Sequence, residues 1–237
     1  MILNIDESWN PIRSLLNQEL LTKLNTDILP NISYQPKQEN IFKVFEQPLS
    51  SIKIVILGED TSPIPGEAVG YAFINGNNKK PVSLRNIEQE VLTSDPDGIN
   101  SSGEIDMKAW VDQGVFLLNT ALTVETGRAG SHLRYWKEFT KKVVQLISSS
   151  QPCIWLLWGA KAQQFRSYIN LNSFSVFGYD SETIKEIPSN EDWNYILTAP
   201  HPAAEAYTGG KAGFFGCNHF YFANEILKRL NKKEILW

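Results

Sequence analysis

A chain of 237 residues, 42% hydrophobic and 11% aromatic, can bury one sizeable core, so a single α/β domain spanning 1–237 is expected over two small ones. A formal charge of −4 and a pI near 5.5 argue against loose, charge-driven adhesion to nucleic acid but leave room for a local basic groove. Two cysteines, Cys153 and Cys217, are too few to hold a structural zinc or an iron–sulfur cluster by themselves, and their pairing is open.

The opening MILNIDESWN has neither a basic n-region nor a long apolar run, so no signal peptide is expected. No segment reaches membrane-spanning length, and a reducing, cytoplasmic location follows as the expectation. Residues 6–50 read as helical and amphipathic, broken near Pro30 and Pro36. IKIVILG (52–58) is β-branched and apolar, a buried strand closed by Gly58. SLRNIEQEVL (83–92) is a helix with Ser83 as its N-cap, and DMKAWVDQ a second short one. GVFLLNTALTV (114–124) is a second strand, with Asn119 at or just past its end. A helix over 135–149, a strand over 153–159 and a helix restarting at 160 follow. The acidic stretch 177–193 reads as a surface insertion, 194–202 as a fourth strand and loop, and 219–233 as a closing helix. Alternating strands and helices predict a parallel-sheet α/β fold, with no repeats and no low-complexity segment.

Ligands of such sheets sit at the carboxyl ends of the strands. Here those ends carry GEDTSPIPG, LLNT, LLWGAKAQ and APHPAAEAY. An acid (Asp60), an amide (Asn119) and an imidazole (His201) can therefore converge. Taken singly, each has a plainer reading: a turn or cap Asp, an Asx-turn Asn, a structural His before proline. Together they suggest a hydrolase-like α/β protein. No Gly-x-Ser-x-Gly elbow and no Walker loop is present.

The order of motifs is more specific. Along nearly its whole length the chain resembles the family-1 uracil-DNA glycosylases. That family carries Gly-Gln-Asp-Pro-Tyr-His-x-Pro-Gly-Gln-Ala after its first strand, where this chain has GEDTSPIPGEA. KPVSLRN, FLLNTALTV, GSHLRYWKEFT, LLWGAKAQ, APHPAAEAY and GFFGCNHFYFAN match the family's later motifs in order. The resemblance implies a three-layer sandwich with a central four-stranded parallel sheet flanked by helices. It implies hydrolysis of the N-glycosidic bond of a base flipped out of DNA, with DNA as partner, no cofactor, no metal and a monomeric state. Asp60 would position the attacking water and offset positive charge on the sugar, and His201 would stabilise the departing base. Asn119 would read the base edge, Phe73 would stack on its face, and backbone N–H groups around Glu59 and Asp60 would reach O2.

The departures fall in the site. The family's tyrosine, whose ring fills the space beside C5 and excludes thymine, is Ser62 here. The following His is Pro63, the Pro after the acid is Thr61, and the Gln before it is Glu59. A changed substrate is expected: a pyrimidine with a 5-substituent, thymine or a larger base such as the hydroxymethylated or glucosylated cytosine of phage DNA. That implies a defence role. An ordinary uracil-DNA repair enzyme and a non-catalytic DNA-binding homologue are the alternatives. Of the family's phosphate-pinching serines Ser83 remains, while Ala160 and Ala203 replace two others. Glu205 stands at the position of the wedge leucine, with Tyr207 as a substitute wedge and Lys211 as a phosphate contact in a lengthened loop; that loop reads equally well as a flexible surface segment.

Overall fold

The computed structural model describes residues 4–15, 22, 26, 33–77, 80–95, 105–170, 172–175, 187, 190 and 192–237. The four predicted strands are present as β2 (Ile54–Asp60), β3 (Val115–Ala121), β5 (Ile154–Trp158) and β7 (Asn194–Ala199). They pair in parallel in the order β3-β2-β5-β7, and a short fifth strand, β6 (Ser173–Ser175), adds in parallel to the β7 edge. A three-residue strand with serine at both ends carries too little apolar signal to be seen in the sequence. Two further short strands, β1 (Tyr34–Gln35) and β4 (Val124–Glu125), form a separate antiparallel pair. The strand expected over 114–124 is thus two elements, parted at Leu122 and Thr123.

Strand parity sets the layers. Side chains alternate across a strand, and parallel register partners share a face. Val55, Phe116, Trp155 and Ile196 are register partners on one face. There Phe116 stacks on Trp9 at 5.3 Å and meets Phe45 edge-on at 5.7 Å. Helix α4 (Leu133–Ser150) brings Trp136 and Phe139 to this cluster, the buried face of an amphipathic helix. Trp158 belongs to the other face, where its ring meets Phe214 and Phe220 edge-on at 5.2 and 5.9 Å. Phe220 comes from α7 (His219–Arg229) and packs on Trp237 at 5.0 Å. Helices on both faces explain why the central strand β5 is continuously apolar and fully buried.

Further helices among the described residues are α1 (Asn10–Leu15), α2 (Val82–Ser94), α3 (Met107–Asp112), α5 (Ala160–Gln163) and α6 (Ala204–Thr208). Three expectations are corrected. The N-terminal helical expectation holds at α1 but fails farther on: residues 33–51 are β1 and three 3-10 turns, whose Ile41, Phe42, Val44, Phe45 and Leu49 enter the core, and most of 16–32 lies outside the described residues. Apolar residues at helical spacing fit a 3-10 path equally well, and Pro36 and Pro48 forbid a continuous helix. Ser83 is not an N-cap, because α2 starts one residue earlier, capped by Pro81 without a side-chain bond. Asn119 lies inside β3, two residues before its end. The expected break at Pro30 and most of the expected insertion at 177–193 lie outside the described residues. Cys153 and Cys217 are buried free thiols.

Candidate active site

The parity that makes the layers also makes the site. Gly58 is the register partner of Asn119, and Asp60 follows two residues later, so all three face the Trp158 side of the sheet. Gly58 is required here: a Cβ would stand 2.6 Å from Asn119 Oδ1 and 3.3 Å from the Phe73 ring. Phe73 reaches the same place from the loop after β2, pinned where Ala72 N–H donates to Leu117 O. Its φ of 65° lies in the left-handed region, a strain typical of functional positions. Its ring sits 5.4 Å from Trp158 and 5.9 Å from the His201 ring.

His201 follows β7, and its Cβ lies where a Cβ on Gly159 would approach to 2.9 Å; Gly159 also has a φ of 89°, which few other residues adopt. Ala203 N–H donates to His201 Nδ1 at 3.2 Å. Nδ1 is therefore unprotonated, and the single proton of a neutral ring is on Nε2. Burial pushes this imidazole below its ordinary pKa, which keeps it neutral.

These side chains line one cavity of about 230 Å³, bordered by Glu59, Asp60, Ser62, Phe73, Ser83, Asn119 and His201 among others. That is room for several waters, or for a single-ring base with a substituent. Asn119 is 8% exposed, and no neighbour among the described residues bonds its amide, so either orientation of the amide is open to a ligand. The Asp60 carboxylate is raised above the ordinary range, chiefly by burial, against the opposing pull of the Gly130 N–H, its own N–H and the Lys161 ammonium. Glu59 is raised too, by burial and then by Asp60, and its carbonyl accepts from the Thr120 hydroxyl. A reaction needing ionised Asp60 and neutral His201 has one acid limb. Its rate should fall as pH drops below neutral and Asp60 and His201 take up protons, in whichever order, and should show no loss on the alkaline side, as a pH profile of kcat will show.

The other site residues expected from the sequence fall outside this cavity. Ala160 is exposed at the start of α5 and Ala203 half-buried just before α6. Glu205 turns inward: it is 2% exposed, and its carboxylate accepts N–H groups from Ala212 at 2.9 Å, Phe214 at 2.5 Å and Phe215 at 3.0 Å. Burial alone would raise its pKa, but those bonds hold it below the ordinary value. Glu205 thus fixes the loop that carries exposed Lys211, next to Tyr207, which is 87% exposed. Glu205→Ala leaves three N–H groups without their acceptor and should cost about 2 kcal/mol, or roughly 4–8 °C in Tm, in a thermal melt.

Composition hid a second feature. A groove of about 860 Å³ shares Glu59 and Asp60 with the cavity and is lined by Arg128, Arg134 and Lys161. The acidic total masks these cations, and their convergence is tertiary. Glu67, also in the cavity wall, was missed because in sequence it reads as one more polar turn residue. Among the described residues, no cluster of His, Cys, Asp or Glu is suited to hold a metal ion, and no helix is long and apolar enough to cross a membrane.

Comparison with known proteins accounts for this arrangement. The family model described as "Uracil DNA glycosylase superfamily" matches residues 46–228. The uracil-DNA glycosylase of Aliivibrio fischeri is 34% identical over 97% of this chain and 96% of its own length. That of Aliarcobacter butzleri is 36% identical over 98% and 96%. The crystal structure of mimivirus uracil-DNA glycosylase superposes with a TM-score of 0.78 at 23% identity, covering 99% of this chain and 87% of that one, a likeness of fold. These matches place the chain among DNA-glycosylase enzymes: it belongs to the uracil-DNA glycosylase superfamily.

Proposed function

We propose that this protein is a monofunctional DNA glycosylase for a flipped-out pyrimidine bearing a 5-substituent: thymine or, more fittingly, a hydroxymethylated or glucosylated cytosine. One observation carries the reading. Ser62 replaces the ring that closes the family pocket beside C5, and an open cavity of about 230 Å³ remains between it and the retained Asp60, Phe73, Asn119 and His201. Such bases occur in phage DNA, so their excision amounts to antiviral defence.

The chemistry follows from the groups present. The base enters the cavity, stacks on Phe73 and meets the Asn119 amide with its polar edge. As the N1–C1′ bond lengthens, its electron pair goes to the base and positive charge grows on the sugar. Ionised Asp60 offsets that charge and holds the water whose oxygen bonds C1′, accepting its proton. His201 Nε2–H donates to pyrimidine O2 and takes up the charge of the leaving anion, which solvent then protonates. O2 is common to uracil and cytosine, so His201 does not choose between them. Arg128, Arg134 and Lys161 supply cations for the strand beside Asp60, while Ser83, Ala160, Ala203 and Lys211 are taken as further backbone contacts and Tyr207 as the wedge.

A second reading, an ordinary uracil-DNA glycosylase of base excision repair, is favoured by relatives of that name at 34–36% identity. Alkaline cleavage of oligonucleotides holding one uracil or one 5-substituted pyrimidine separates the two. Abasic sites at the 5-substituted base support the proposal; abasic sites at uracil alone support the second reading.

A further inference from the structure

The wall of the cavity on the Ser62 side is charged. Glu67 lines it, and its residue is only 7% exposed. Ser62 Oγ donates to Glu67 Oε2 at 2.7 Å, and Ile64 N–H donates to the same Oγ at 3.3 Å. The backbone of Glu67 is held at both ends, its N–H donating to Ile64 O at 3.2 Å and its carbonyl accepting from Gly76 N–H at 2.9 Å. The second carboxylate oxygen, Oε1, has no hydrogen-bond partner and no ion pair among the described residues. The motif that this segment resembles has an amide, glutamine, at this position and a phenol at Ser62. Two changes thus occur together: the ring goes, and a buried carboxylate stands beside the space it leaves.

Ser62 satisfies one oxygen of this carboxylate; a base that fills the cavity shuts water from the other, and only a donor on that base relieves the cost. Thymine's methyl offers none. A hydroxyl one carbon beyond C5 offers one in the direction of the missing ring. Resting on the reading above and narrowing it, we propose that Glu67, held by Ser62, is a specificity-determining residue that accepts a hydrogen bond from a hydroxyl on the 5-substituent. The site then selects hydroxymethylated pyrimidines over thymine, because the hydroxyl pairs with the carboxylate while a methyl leaves it desolvated and unpaired; in a glycoside, whose hydroxymethyl oxygen carries no proton, a sugar hydroxyl is the donor.

The test uses duplexes with a single thymine, 5-hydroxymethyluracil or uracil. The first two differ by one oxygen atom. Wild-type kcat/KM should favour 5-hydroxymethyluracil over thymine by about tenfold or more. Glu67→Ala should bring that ratio to about one, and Glu67→Gln, whose amide oxygen still accepts, should keep part of it. A role in folding alone would lower both rates equally and leave the ratio intact, which would overturn the inference. A wild-type ratio near one would also overturn it, with the 5-substituted reading still standing, and this holds even if Glu67→Ala does not fold. Wild-type protein that releases only uracil would overturn the underlying reading as well.

Discussion

Asp60→Asn should slow base release by about 10²–10³-fold while making the protein more stable. The variant keeps the shape and an oxygen to accept the Gly130 N–H but loses the charge that faces the sugar. Removing one electrostatic group of this kind typically costs about 10²–10³ in kcat, measured here in single-turnover assays under saturating enzyme. The stability effect has the opposite sign. The folded-state pKa of Asp60 is raised, chiefly by burial, so protonation stabilises the fold. That stabilisation is complete below the unfolded pKa and is lost as pH rises through the folded one. At neutral pH the carboxylate is therefore a burden that catalysis requires, and Asn removes it. The Tm of the variant should exceed that of wild type at pH 7, and the gap should close as pH falls through the raised folded pKa, being gone once pH is below the unfolded value of about 4. Lower stability of the variant at pH 7 would mean that the Gly130 and Lys161 interactions outweigh burial.

Ser62→Tyr should reverse the substrate preference. The new ring must occupy the cavity beside Glu67 and displaces the 2.7 Å bond from Ser62 Oγ. A base with a 5-substituent then meets the overpacking that costs about 1–3 kcal/mol in a filled site, or roughly five- to 150-fold in kcat/KM. Uracil, with only hydrogen at C5, escapes this clash. Competition between uracil and 5-hydroxymethyluracil oligonucleotides, read for wild type and variant, gives the shift directly. An unchanged ratio would mean that the 5-substituent does not lie against residue 62.

The sheet, and the placing of Asp60, Asn119 and His201 at its carboxyl end, could be read from the sequence because both depend on local pattern, whereas Phe73 is named only through the family resemblance. Apolar runs such as IKIVIL are unmistakable as inner strands, and the residues just past them must lie at one end of the sheet. Asp60, Asn119, Phe73 and His201 do meet in one cavity. Tertiary pairing decided the rest. The inward turn of Glu205 depends on N–H groups up to ten residues later. The acceptor role of His201 Nδ1 depends on a loop bend that no periodicity reveals. Glu67 gains meaning only beside Ser62, and the groove cations Arg128, Arg134 and Lys161 come from separate segments that composition averages away. Helical spacing in residues 33–51 misled because aromatic side chains entering a core from 3-10 turns produce it too.

Mass spectrometry of free bases tests the central claim most directly. Wild-type protein and Asp60→Asn are incubated with DNAs that contain uracil, thymine, hydroxymethylcytosine or glucosylated hydroxymethylcytosine. The account predicts that wild type, and far less the variant, frees a 5-substituted pyrimidine. Release of uracil from the first DNA with nothing freed from the others would contradict it.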